Sequence, residues 1–173
     1  MAVRPGDRLT LLGRRLHNPL LRSGLALAGA NTWLRHETPV PEAGNGILTA
    51  EDVTGLDLLD TELVVLSACE TGLGSADFSE GVMGLRRSFS IAGAATMVMS
   101  LWKVADMQTL ALMVDFYGRI IGGARKAEAL RAAQLALKAQ YADPYFWGAF
   151  ICQGDPGPLR PESLERRRGD PIR

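Results

Sequence analysis

Cys69 stands where an apolar run, Leu63-Val64-Val65-Leu66-Ser67-Ala68, meets a glycine-bearing loop, Cys69-Glu70-Thr71-Gly72-Leu73-Gly74. A thiol becomes a nucleophile when its surroundings favour the thiolate or a neighbouring base takes its proton. Backbone N–H groups around Gly72 and Gly74 suit the developing oxyanion of an acyl transfer, or a bound anion. The competing reading is a cysteine that packs as a small hydrophobe. Two other phosphate-handling loops are excluded by spacing. Residues 70–80 contain neither the Arg of a phosphatase-type loop nor any Lys, and no Gly-Lys-Ser/Thr closes a Walker-type loop.

The elements around this loop follow from patterning. The run into Cys69 lacks polar alternation, so it predicts a strand buried on both faces, and such a strand aims its carboxyl end at the crevice where open α/β sheets place ligands. A helix is predicted over Glu80–Ala92, with Val82, Leu85, Phe89 and Ala92 on one face and Gly93 as its stop. A second buried strand is expected over Ala95–Trp102. Strand, loop, helix and strand at this spacing make a βαβ unit with parallel strands. Asp106 is placed to cap the next helix, whose Leu110, Met113, Val114, Tyr117 and Ile121 recur at helical spacing before Gly122-Gly123.

Lys126–Gln140 reads as a strong helix, Asp143-Pro144 as its stop, and Phe146–Cys152 as a last short strand. Upstream, residues 9–16 are a strand end or a helical turn, and a strand is expected near the end of Leu20–Ala28. Residues 32–45 have loop composition, and Thr49 with Asp52 fits an amino-cap for a short helix ending near Gly55. The ordered domain is expected to cover residues 1–155. Residues 156–173 are proline- and arginine-rich without apolar periodicity, which predicts a disordered tail.

The bulk properties exclude more than they assign. In 173 residues, 19 basic side chains balance 19 acidic ones, so nothing points to nucleic acid or an anionic membrane. No apolar stretch is long enough for a bilayer, and the amino terminus is not a signal peptide. Cys69 and Cys152 are the only cysteines, which suits a reducing, cytoplasmic setting and excludes a four-cysteine zinc site. No metal or cofactor is called for.

Several segments in order resemble the CHAT family of caspase-like cysteine peptidases. They are Asn18–Asn31, Gly46–Glu51, Leu63–Gly74 with its Ser-Ala-Cys-Glu-Thr-Gly, Glu80–Arg87, Val98–Val104 and Tyr145–Phe150. The resemblance runs from about residue 16 to Asp155. It implies an α/β caspase-like fold, a mostly parallel sheet flanked by helices, and a cysteine endopeptidase that is usually the carboxyl-terminal domain of a tetratricopeptide repeat protein. Cys69 takes the position of the family nucleophile. Asp106 falls where the wider clan builds the pocket for the residue before the cut. There a carboxylate would select a basic side chain, while helix capping accounts for it equally well. Glu70 is a second candidate for that pocket, and Cys152 is inert packing.

The family's other catalytic residue is a histidine in a His-Gly pair at the end of a preceding strand. Only His17 and His36 occur here, and neither precedes glycine. His17 lies 52 positions before Cys69 (69 − 17), close to the caspase separation of about 50, yet it abuts Asn18-Pro19 in a variable lead-in. The expectation is therefore a domain truncated on its amino-terminal side and inactive alone, with the His-Gly strand upstream of Met1. Its partners would be a polypeptide substrate or a protein, and the upstream segment or tetratricopeptide repeats of a longer protein. The other function class left open is a non-catalytic interaction module, a pseudo-peptidase.

Overall fold

The computed structural model describes residues 10–11, 14–15, 20, 23–31, 46–67, 78–102 and 104–163. Two short antiparallel strand pairs come first. β1 (Thr10–Leu11) pairs antiparallel with β2 (Arg14–Arg15), and β3 (Gly24–Ala26) pairs antiparallel with β4 (Ile47–Thr49). Gly24 is required in that second pairing, because a Cβ there would meet the Leu48 carbonyl oxygen at 2.6 Å.

α1 (Ala50–Thr54) begins where the sequence expects it. The Thr49 hydroxyl accepts from the Asp52 N–H at 3.1 Å and the Asp52 carboxylate accepts from the Thr49 N–H at 2.9 Å, a reciprocal capping box. Thr49→Ala, which removes one half of it, is expected to cost about 1 kcal/mol in thermal unfolding. An unchanged melting temperature would mean that packing of Ala50 and Val53, both fully buried, holds this turn unaided.

β5 (Val64–Leu66), α2 (Phe78–Ile91) and β6 (Thr96–Ser100) form the expected βαβ unit, with β5 and β6 parallel. α2 stops where Gly93 adopts φ +105°, a conformation side chains resist. Two long helices follow, α3 (Asp106–Ile121) and α4 (Lys126–Lys138), and then β7 (Phe150–Gly154). β7 runs antiparallel to β6, so the α/β sheet is mixed, in the order β5-β6-β7. The last strand thus starts later than the predicted Phe146. The Asp143 carboxylate accepts from the Tyr145 N–H at 2.9 Å and instead turns Pro144–Phe146 into a 3-10 helix.

Alternate residues of the sheet enter two cores, as a sheet covered on both faces requires. Val98 is fully buried with Leu112, Phe116 and Ile120 of α3 and Ala129, Leu130, Ala133 and Leu137 of α4, and Leu63 and Val65 pack against them. Met97 belongs to the opposite core with Leu85 and Phe89 of α2 and Ala50 and Val53 of α1, where Val64 and Leu66 also pack. All of β6 is buried. β5 is only half-buried, because among the described residues no strand pairs with its outer edge.

α3 corrects one expectation. Of the five apolar residues read at helical spacing, Leu110, Val114, Tyr117 and Ile121 are exposed, and together with Met107 they form an apolar stripe in solvent. The core takes Leu112, Phe116 and Ile120 instead, while Met113 packs partly against it. The helix is apolar on both sides, and periodicity alone does not choose between two stripes.

The proposed tail also differs over residues 156–163. Leu159 packs against the α3–α4 core, and Arg160 and Ser163 reach Glu62 just before β5. Polar anchors rather than an apolar pattern dock this segment, so periodicity does not register it.

Candidate functional site

The site is built at the carboxyl rim of β5 and β6. Their parallel register pairs Val65 with Val98 and Leu66 with Met99, so the two strands finish level. Ser67 follows in solvent and Ser100 is buried, paired across the sheet with Phe150 at the start of β7. Cys69, Glu70, Gly72 and Gly74, with the rest of 68–77, lie outside the described residues, as do His17 and His36. β5 delivers the chain to this rim three positions before Cys69 (69 − 66).

Beyond β6 the chain turns over the rim. The Leu101 N–H donates to the Ala149 carbonyl at 2.9 Å, and the Trp102 indole N–H donates to the Tyr145 carbonyl at 3.1 Å. Gly148 lies against that indole, and a Cβ there would also meet the Pro144 carbonyl oxygen at 2.9 Å. Trp102 therefore joins the Asp143–Ala149 loop to the end of β6 as a wall of the rim. Trp147 packs against the α3–α4 core, with the Lys138 ammonium 5.0 Å from its ring centroid.

Asp106 opens α3, exposed, at the end of this connection. It is not the amino-cap that the sequence suggests. Ala105 holds that position without a side-chain cap, and the Thr109 hydroxyl donates to the Ala105 carbonyl at 3.0 Å. As the first helical residue, Asp106 places a negative charge by the positive end of the helix. That leaves its carboxylate open to solvent.

Cys152 sits on β7, partly buried against the α3–α4 core. Burial pushes its thiol above the ordinary value, outweighing the nearby Lys126 cation, and Asp155 adds in the same direction. At neutral pH this sulfur remains a thiol, which suits packing and not attack. Among the described residues no cluster of His, Cys, Asp and Glu is arranged to hold a metal ion.

At the opposite end of the sheet is a cavity of about 370 Å³, bounded by Leu63 and Val65 of β5, Tyr117, Ile120 and Ile121 of α3, and Leu159, with Asp60, Glu62 and Ser163 at its polar side. Glu62 and its partners have no sequence signature, because a lone Glu before a strand and an Arg-Pro-Glu-Ser near a terminus carry no periodicity. Lys126 escapes notice in the same way. It reads as an ordinary first-turn residue and is fully buried.

A CHAT domain profile matches residues 10–155. The chain belongs to the CHAT domain family. Among curated proteins, this CHAT domain is 31% identical over 121 residues to human tetratricopeptide repeat protein 28, and 30% identical over 122 residues to the mouse protein of that name. Each match covers 68% of this chain and 5% of the relative, so the CHAT domain spans a small fraction of those proteins' length. No described helix of the CHAT domain is long and apolar enough to cross a membrane.

Proposed function

We propose that this CHAT domain is the nucleophile-bearing part of a cysteine endopeptidase, with Cys69 as the attacking group. The observation that supports it is the rim. A half-buried β5 is paired in parallel with the buried β6 up to Leu66 and Met99, and the chain passes from there into the Cys69 loop. In this reading the Cys69 thiolate attacks the peptide carbonyl carbon, and backbone N–H groups near Gly72 and Gly74 hold the oxyanion. The C–N bond then breaks as the leaving amine takes a proton, and water hydrolyses the thioester, returning the thiol and releasing a carboxylic acid. Glu70 and Asp106 are the pocket carboxylates that would favour a basic side chain before the cut.

An imidazole is needed to take and return that proton. The outer edge of β5, open among the described residues, is where a further parallel strand would bring it to the rim. A strand of this kind would also cover the apolar side chains that β5 leaves half-exposed.

The exposed stripe of Met107, Leu110, Val114, Tyr117 and Ile121 favours a second reading, a non-catalytic module that binds a protein partner. A thiol-directed peptide probe with a basic residue before its warhead separates the two. On the domain fused behind a strand ending in His-Gly, the peptidase reading expects labelling at neutral pH that Cys69→Ala abolishes and Cys152→Ala leaves unchanged. An unreactive Cys69 together with a retained partner would favour the module.

A further inference from the structure

We infer that residues 156–163, which follow the family-matched segment, form a strap that fixes the foot of β5, with Glu62 as its catch and Arg160 and Ser163 as positioning residues. The strap begins by finishing α4. Arg125 caps that helix with no side-chain bond, and the orphan N–H groups of its first turn are taken by strap carbonyls, Lys126 to Gly157 at 3.0 Å and Ala127 to Pro156 at 3.4 Å. The buried Lys126 ammonium finds Asp155 Oδ2 at 3.4 Å and the Pro158 carbonyl at 3.5 Å, a pairing a buried cation requires. The Asp155 carboxylate accepts from the Gly157 N–H at 2.8 Å, which turns the chain back towards the sheet.

Leu159 then packs against the α3–α4 core and the strap reaches Glu62. One carboxylate oxygen of Glu62 accepts from the Arg160 N–H at 2.7 Å. The other lies 3.2 Å from the Arg160 guanidinium Nε and accepts from the Ser163 hydroxyl. The guanidinium also donates to the Asp60 carbonyl at 3.2 Å. Every one of these contacts joins residues about a hundred positions apart in the chain. Glu62 stands immediately before Leu63 and β5, so the catch grips the strand from the end opposite Cys69. That the gripped strand carries a nucleophile rests on the proposed function; the grip itself does not.

Burial pushes the Glu62 carboxyl up, but the Ser163 hydroxyl and the Arg160 N–H and guanidinium together hold it below its ordinary 4.5. A depressed carboxyl contributes its stability fully above that value and loses it as pH falls through the lower folded one. The other titratable or charged groups around the catch are Asp60 beside it, Tyr117 on α3 and Arg160 itself. The catch therefore holds fully at neutral pH and weakens in acid.

Hydrogen exchange of the full chain, read as protection factors for residues 62–67 and 96–100, tests this. Loss of charged hydrogen bonds predicts that Arg160→Ala with Ser163→Ala lowers β5 protection by about tenfold or more while β6 stays near its starting value. Arg160→Lys in place of Arg160→Ala should restore part of the loss. In the unaltered chain β5 protection should also step down in acid, and Glu62→Gln should abolish that step, a readout that stands even if the double variant fails to fold. The strap is overturned if β5 protection does not change, if β6 falls equally, or if the acid step survives Glu62→Gln. Failure of the peptide probe to label Cys69, with the β5 shift intact, would remove the peptidase reading and leave the strap.

Discussion

Phe116→Ala is expected to lower the stability of this chain by about 3–5 kcal/mol, while Val114→Ala, two positions away on the same helix, changes it by at most about 0.5 kcal/mol. Phe116 is fully buried, centred on α3 among Leu112, Ile120, Ala129, Ala133 and Leu137, with the Tyr117 ring 5.4 Å away. Removing the ring takes away its transfer free energy and leaves a void that two packed helices and a sheet close only in part. A domain of this kind holds about 5–15 kcal/mol in total, so the loss is a large fraction and shifts the melting temperature by about 6–20 °C. Val114 is 64% exposed, so its truncation removes little buried surface. Thermal unfolding of the two variants decides which face of α3 meets the core. Equal destabilisation would mean that something covers the Met107–Ile121 stripe, and the assignment of the faces would fail.

That contrast marks where the sequence was readable and where it was not. β5 and β6 are legible because unbroken β-branched and aliphatic runs admit few alternatives, and the Thr49–Asp52 box is legible because its chemistry is local. α3 was legible as a helix but not in its orientation, since both stripes recur at helical spacing and only tertiary packing chooses. β7 shifted because Asp143-Pro144 builds one more turn than a strand reading allows. The strap was missed for a deeper reason. Its stability comes from Glu62, Lys126 and Asp155, partners that are far apart in sequence and ordinary in composition. Of the candidate site, the strand leading to it follows from the apolar run and the βαβ spacing, while the Trp102 contact with Tyr145 is made between distant residues and has no local signal. Asp106 was read as a helix cap, and Ala105 is the cap instead.

The largest effect is expected from supplying the base that the proposed mechanism needs. When a strand ending in His-Gly is fused ahead of residue 1, peptide hydrolysis is expected to rise about 10²–10⁴-fold over the same fusion with that histidine changed to Ala. In the proposed mechanism a thiol needs a base to take its proton and to return it to the leaving amine. Neighbouring strands lie about 4.8 Å apart, and β5 and β6 already end level at Leu66 and Met99. A parallel strand added on the outer edge of β5 in the same register would end beside the residues that follow Leu66, within reach of an imidazole side chain. Cys69→Ala in the same fusion should return hydrolysis to background. Cys152→Ala should not, because its burial keeps that sulfur protonated. The rate should follow the ionisation of the imidazole, rising with pH through its pKa of about 6.5. If the fusion pairs with β5, as protected amides at Val64–Leu66 would show, and hydrolysis still does not depend on the histidine, the CHAT domain is a binding module and its thiol is not a nucleophile.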